Sequence, residues 1–171
     1  MRMNHRSSTR EVAGVNPLYV LALGALVIAA AVSLLHTPAT HAAGASGPIV
    51  STTKTSLGRF LVNSSGRTLY LFGKDKNSKS SCSGMCASFW PPLIATGKPR
   101  AAAGVKASLL GTSKRADGRL QVTYNHHPLY TFKKDTKKGQ TNGEGLNAFG
   151  ANWYVVSPAG NKIVKHSGGG Y

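Results

Sequence analysis

One phrase is written twice in this chain, as Leu69-Tyr-Leu-Phe-Gly-Lys-Asp75 and again, sixty positions later, as Leu129-Tyr-Thr-Phe-Lys-Lys-Asp135. Aligned at that offset without a gap, residues 52–75 and 112–135 agree at ten of twenty-four positions. Chance agreement would be roughly one or two. Such a duplication constrains the fold more than composition does. It calls for two copies of one unit whose aromatic residues meet in a shared interior.

The unit reads as β structure. In the first copy, Phe60-Leu-Val62 and Thr68-Leu-Tyr-Leu-Phe72 are rich in strand formers. Asn63-Ser-Ser-Gly66 between them suits a type I turn closed by a left-handed glycine. Along a strand, Tyr70 and Phe72 point to one face, Leu69 and Leu71 to the other. Both faces are apolar, which predicts a central strand covered on both sides. The second copy runs from Arg119-Leu-Gln-Val-Thr-Tyr124 through Asn125-His126 to Pro128-Leu-Tyr-Thr-Phe132. Here His126 stands opposite Gly66, and a left-handed conformation at that point would strain a histidine. Each hairpin is followed by a polar loop and a tryptophan. Phe89-Trp-Pro-Pro-Leu-Ile94 is expected to be an edge strand or extended crossing with Trp90 anchored inward, because prolines donate no ladder hydrogen bonds. Trp153-Tyr-Val-Val156 and Lys162-Ile-Val-Lys165, joined by Ser-Pro-Ala-Gly-Asn161, read as a closing hairpin. Trp153 falls three residues later in register than Trp90. The predicted fold class is therefore all-β: two tandem hairpin-plus-strand repeats forming one small pseudo-twofold domain, preceded by an N-terminal hydrophobic helix.

Residues 1–17 carry three arginines, and Leu18 to Leu35 form an uncharged apolar run. At about 1.5 Å per residue the run nearly spans a bilayer core of about 30 Å. Pro38 and the small residues Thr40-His-Ala42 and Ala43-Gly-Ala45 follow it. Residues 1–42 are thus a signal peptide or a retained signal anchor, and residues 43–171 lie outside the cytoplasm in both cases. The remaining organisation is expected to be a flexible tether at 43–56, repeat 1 at 57–96, a connector at 97–111, repeat 2 at 112–165 and a disordered tail at 166–171. Within the connector, Val105, Leu109 and Leu110 are expected to form one helical turn that packs down.

The formal charge is +16. Setting aside Arg2, Arg6, Arg10 and Glu11 leaves 18 basic and 4 acidic residues, a net +14 beyond the leader. Such an excess favours anionic partners, namely an envelope polymer or a phospholipid surface, with nucleic acid disfavoured. Membrane association through residues 18–35 is expected as well if the leader is retained. The electrostatic contact is expected at Lys133, Lys134, Lys137 and Lys138, together with Lys114, Arg115 and Arg119, if the second hairpin brings them side by side.

The acidic inventory is Asp75, Asp117, Asp135 and Glu144. For Tyr70 and Asp75, and for Tyr130 and Asp135, the first reading is structural. The carboxylate accepts hydrogen bonds from the backbone of the following turn, and the ring fills the core while its hydroxyl finds a partner. The other reading makes each carboxylate part of a ligand site. Phe72 and Phe132 complete the motif. Cys82 and Cys86 are expected to form a local disulfide in an oxidising compartment. The alternative is a copper(I) site built from both thiolates and Met85. Attached haem is disfavoured, because no histidine follows Cys86 in a Cys-x-x-Cys-His pattern. His126 and His127 are read as solvent-facing turn residues, with metal binding as the alternative. No nucleophile, base and orienting group are assembled in the sequence, and Gly143-Glu-Gly145 lacks the context of a phosphate-cradling loop.

Taken together, both Tyr-x-Phe-x-x-Asp copies, the Cys82-x-x-x-Cys86-Ala-x-x-Trp-Pro-Pro92 segment and the Gly-x-x-Trp-Tyr-Val-Val-x-Pro run resemble a bacterial family. It is the secreted repeat family of unknown function, also described as predicted lipoproteins with a Tyr-x-aromatic-x-x-Asp motif. The resemblance covers roughly residues 50–160 and implies an exported protein built from tandem copies, with no established reaction. The chain lacks the lipid-attachment cysteine that the lipoprotein description implies. The expectation is a non-catalytic exported envelope protein, a binding or structural module, without a cofactor. Copper handling or redox chemistry through Cys82, Met85 and Cys86 is the alternative.

Overall fold

The computed structural model describes residues 46–164, so the leader, with its expected helix at 18–35, and the tail lie outside the described residues. Among the described residues no helix is long and apolar enough to cross a membrane. Regular structure is almost entirely strand: β1 (Ile49–Thr55), β2 (Gly58–Asn63), β3 (Tyr70–Phe72), β4 (Arg100–Ala101), β5 (Leu110–Lys114), β6 (Leu120–Tyr124), β7 (His127–Pro128), β8 (Asn147–Ala148) and β9 (Ala151–Val155). The helical elements are α1 (Met85–Phe89) and a 3-10 turn at Ala107–Leu109. The strands form three small sheets, in the orders β2-β1-β4, β3-β9-β8 and β5-β6-β7. All their pairings are antiparallel except that of β1 with β4.

Three expectations need correction. The expected tether, 43–56, contains β1, whose Ile, Val and Thr residues favour the pleated backbone although most of them are polar. Its Val50 is fully buried. The connector, 97–111, likewise holds β4 and the start of β5, whereas the helical turn expected within it is present as the 3-10 turn, with Val105, Leu109 and Leu110 half-buried against the core. Finally, Phe89 closes α1, and only the residues after it run extended. Pro92 bridges Tyr130 and Ile94 bridges Gln121, while Leu93 donates its N–H to the Leu129 carbonyl. The proline pair thus leaves every second position free to bond, as a crossing segment requires. The closing hairpin is present in reduced form: Val156 bridges Lys162, and the Ile163 N–H donates to Val155 O at 2.8 Å.

Strand periodicity sorts the interior into two clusters. Tyr70 and Phe72 join Phe60, Val62, Tyr130, Phe132 and both tryptophans. Leu69 and Leu71 join Val50, Leu61, Val122, Tyr124, Leu129 and Val156. The central strand is covered on both faces, as its two apolar sides demand.

The two copies do not superpose as simply as their gapless alignment suggests. In the first hairpin Thr55 opposes Gly58 across a two-residue loop. Its counterpart closes with Arg115 N–H on the Arg119 carbonyl, around the three residues Ala116-Asp117-Gly118. The next turn reverses the difference. Asn63 and Arg67 enclose three residues ending at Gly66 (φ 75°), whereas Tyr124 and His127 enclose only Asn125 and His126. The lengths cancel, but β2 and β6 are offset by one between the two turns. Thus Leu69 N–H donates to Leu61 O, and Leu129 N–H donates to Val122 O. Leu61, not the identical Val62, is the structural partner of Val122, and the two valines face different clusters.

The short second turn puts Asn125 (φ 46°) and His126 (φ 66°) both in the left-handed region. A two-residue turn of this kind favours Asn-Gly. His126→Gly is therefore expected to raise stability by about 1 kcal/mol, as relief of backbone strain exceeds the added chain entropy. Denaturant unfolding tests this; an equal loss would refute the turn geometry.

Candidate functional site

The duplicated residues converge on one centre. Tyr70 and Tyr130 form an antiparallel bridge, with Tyr70 N–H on Tyr130 O at 2.8 Å and the reverse bond at 3.0 Å. Around this bridge the repeats exchange partners. Strand β3 pairs with β9 of the second repeat, placing Phe72 opposite Trp153. The Leu129–Phe132 segment in turn takes the Trp90 segment of the first repeat: Thr131 N–H bonds Pro91 O and Lys133 N–H bonds Phe89 O, both at 2.9 Å.

Four rings consequently stack through the core. Phe72 lies on Trp153 (4.1 Å between centroids, 9° between planes), Trp153 on Trp90 (3.9 Å, 3°), and Trp90 on Phe132 (4.1 Å, 22°). Tyr70 stands edge-on to Trp90 and Tyr130 edge-on to Trp153, at 5.3 and 5.1 Å. Such contacts contribute about 0.5–1.5 kcal/mol each beyond the area they bury. Gly143 lets the second polar loop lie directly on this stack. A Cβ there would stand 2.6 Å from Trp90 Cη2. Neighbouring Glu144 accepts the Val155 N–H at 2.6 Å, fixing β9.

The carboxylates complete the exchange. Tyr70 donates its hydroxyl to Asp135 Oδ2 at 2.6 Å, and Tyr130 donates to Asp75 Oδ2 at 2.7 Å. Each aspartate also accepts from the turn that follows it: Asp75 Oδ1 from the Ser81 N–H and hydroxyl (both 2.8 Å), Asp135 Oδ1 from the Asn142 N–H (2.9 Å). Each side chain therefore ties its own repeat's loop to the other repeat's tyrosine. Burial pushes both carboxyl groups above the ordinary carboxylate range, and the hydrogen bonds offset only part of that rise. It also holds both phenols protonated, their pKa raised further by the aspartates beside them.

One polar chain breaks the symmetry. Arg115 was expected on the basic surface, but it is buried. Its guanidinium donates to Ser80 Oγ (2.8 Å), Gln121 Oε1 (2.6 Å) and Cys82 O (2.7 Å), with Asp117 3.4 Å from Nε. Ser80 Oγ is in turn 2.7 Å from the Tyr130 hydroxyl. Gln121, the structural counterpart of Phe60 after the one-residue offset, passes the chain on to Leu129 O at 2.8 Å. In the gapless alignment Gln121 stands opposite Leu61, and a polar residue at an apolar strand position is the signal that such a network exists.

The remaining expected residues scatter. Arg119 pairs with Asp117 at 2.7 Å, which holds that carboxyl at about 2. Lys114 is exposed on β5, Lys133 and Lys134 lie beside Phe89 and Phe132, Lys137 is exposed in the following turn, and Lys138 packs along Gly66. No single patch unites the seven. Cys82 and Cys86 are joined in a disulfide, so the thiolates that the copper alternative needs are consumed, and Met85 is 73% exposed. His126 is exposed; His127 is half-buried, and desolvation lowers its pKa.

Fold and site define a tandem-repeat, all-β domain whose signature residues face inward and interlock its halves. The family model described as a secreted repeat of unknown function matches the chain twice, at residues 51–94 and 111–157. The protein belongs to that family, whose secreted character supports an extracytoplasmic location, where a disulfide persists. No curated protein and no solved structure shows a significant match to the chain.

A carboxyl whose folded pKa is raised binds its proton more tightly in the folded state. Its stabilisation is full below the unfolded value near 3.8 and is lost as pH rises through the folded value. The stability difference between wild type and Asp135→Asn should therefore shift in favour of wild type as pH falls from about 7 towards 4, with a slope of at most about 1.4 kcal/mol per unit. Paired denaturant titrations measure it; a difference that shrinks on acidification would contradict the assignment of burial as the larger effect.

Proposed function

We propose that the protein is a non-catalytic extracytoplasmic module that attaches to anionic polymers or head groups of a bacterial envelope. The carrying observation is where its carboxylates are. Asp75 and Asp135 accept hydrogen bonds inside the domain, Asp117 is paired with arginines, and Glu144 accepts a backbone N–H. Among the described residues Asp75, Asp117 and Asp135 form no ion pair with a lysine within 4.0 Å. The cationic excess is thus left to the solvent side, where it attracts polyanions over about a Debye length. The inward orientation of the motif residues supports a scaffolding role for them.

Retention of the full chain, in mild detergent, on phosphocellulose should fall at least about tenfold between about 0.05 and 0.5 M NaCl. Retention indifferent to salt would refute the electrostatic attachment.

A further inference from the structure

Six large apolar side chains are exposed among the described residues, and three of them, Phe89, Leu146 and Phe149, line one recess of about 250 Å³ at the edge of Trp90 and Phe132. Met85 precedes Phe89 by four residues and shares its face of α1. Single exposed apolar residues are ordinary, but a cluster at the mouth of an aromatic core marks an interaction surface.

Phe149 is held there against its backbone preference. It forms a two-residue turn with Gly150 between the paired residues Ala148 and Ala151, at φ 59°. Such a turn favours Asn-Gly, and a bulky residue in the left-handed region is an outlier of the kind found at functional positions. Its ring meets Phe89 at 6.3 Å yet stays 38% exposed, so packing within the domain does not account for its placement. Cations surround the cluster. Lys133 Nζ lies 5.8 Å from the Phe89 ring centre, Lys134 lines the recess, and Lys74 Nζ is 3.6 Å from where a Cβ on Gly150 would stand.

We propose that this face docks on an anionic phospholipid bilayer, Phe149, Phe89, Leu146 and Met85 entering the interfacial layer while Lys74, Lys133 and Lys134 meet head-group phosphates. The inference rests on the proposed attachment to anionic surfaces and narrows it to lipid. Aromatic and apolar side chains ringed by lysines suit the interface of a charged bilayer. Apposing two copies through the same face would instead bring their lysines together.

The test reconstitutes the full chain into vesicles of brominated phosphatidylcholine, with or without about 30% phosphatidylglycerol, the anionic lipid that supplies surface charge. Phe149→Trp and, separately, Met85→Trp supply reporters, with the buried tryptophans of wild type as background. Both reporters should be quenched in the anionic vesicles at least about threefold more than in neutral ones, and K133E/K134E should abolish the difference. Quenching equal in both lipids, or absent from both reporters, overturns the docking. If the reporters stay unquenched while salt-sensitive retention on phosphocellulose persists, only the lipid face fails; if both are lost, the attachment fails too. Reporters shielded by concentration-dependent self-association would assign the face to a second copy and likewise overturn the lipid proposal.

Discussion

Two hydrogen bonds, each running from one repeat's tyrosine to the other repeat's aspartate, set the terms for the rest of the domain. Asp135 is 1% exposed, and a carboxylate at that depth is tolerable only with its acceptor positions filled. One oxygen is filled by its own turn, the other from across the pseudo-axis. Asp135 is buried and Asp75 half-buried, and each has one oxygen filled only from the other repeat. The arrangement makes the duplication obligatory: a single copy would expose one face of its central strand, lose the partner ring for its tryptophan and leave an aspartate half-paired.

The aromatic stack follows from the same exchange. Because each tryptophan segment pairs with the other repeat's central strand, the two indoles meet at the axis and the two phenylalanines close the stack from outside. The polar loops depart from symmetry further than the hairpins do. The first carries a disulfide and is held by Arg115 through Ser80 and the Cys82 carbonyl. The second lies on Trp90 and Tyr70 through Gly143, and Gln140 gathers the N–H groups of Thr136 and Lys137. The exposed aromatic cluster lies on this asymmetric periphery, and the strained backbone of Phe149 within it is a feature distinct from the core packing.

Much of this was legible in the residues. The alternation of Leu69-Tyr-Leu-Phe72 gave a strand buried on both faces, and the spacing of Asp75 and Asp135 after the last aromatic gave carboxylates that cap the following turns. The pairing across repeats was not legible, because periodicity assigns a side chain to a face and says nothing of which strand lies alongside. Strand β1 was hidden by its serine and threonines, which read as linker although the β-branched side chain of threonine favours a pleat. The one-residue offset was hidden for another reason: two loops of compensating length leave a gapless alignment intact while moving Val62 and Val122 to different clusters. Arg115 misled because charge suggests exposure, and only its neighbours Gln121, Ser80 and the Cys82 carbonyl reveal a site able to bury a guanidinium.

A secreted repeat that locks its signature residues inside leaves contact to its periphery, and both proposals made for this protein depend on that division. It can be tested at its root by a double-mutant cycle on unfolding free energy. Tyr70→Phe combined with Asp135→Asn should show a coupling of about 1 kcal/mol or more, whereas Tyr70→Phe combined with Asp75→Asn, a pair within one repeat, should be additive to within about 0.5 kcal/mol. Coupling confined to the pair within one repeat would mean that the halves do not exchange partners, and the account would be wrong at its centre.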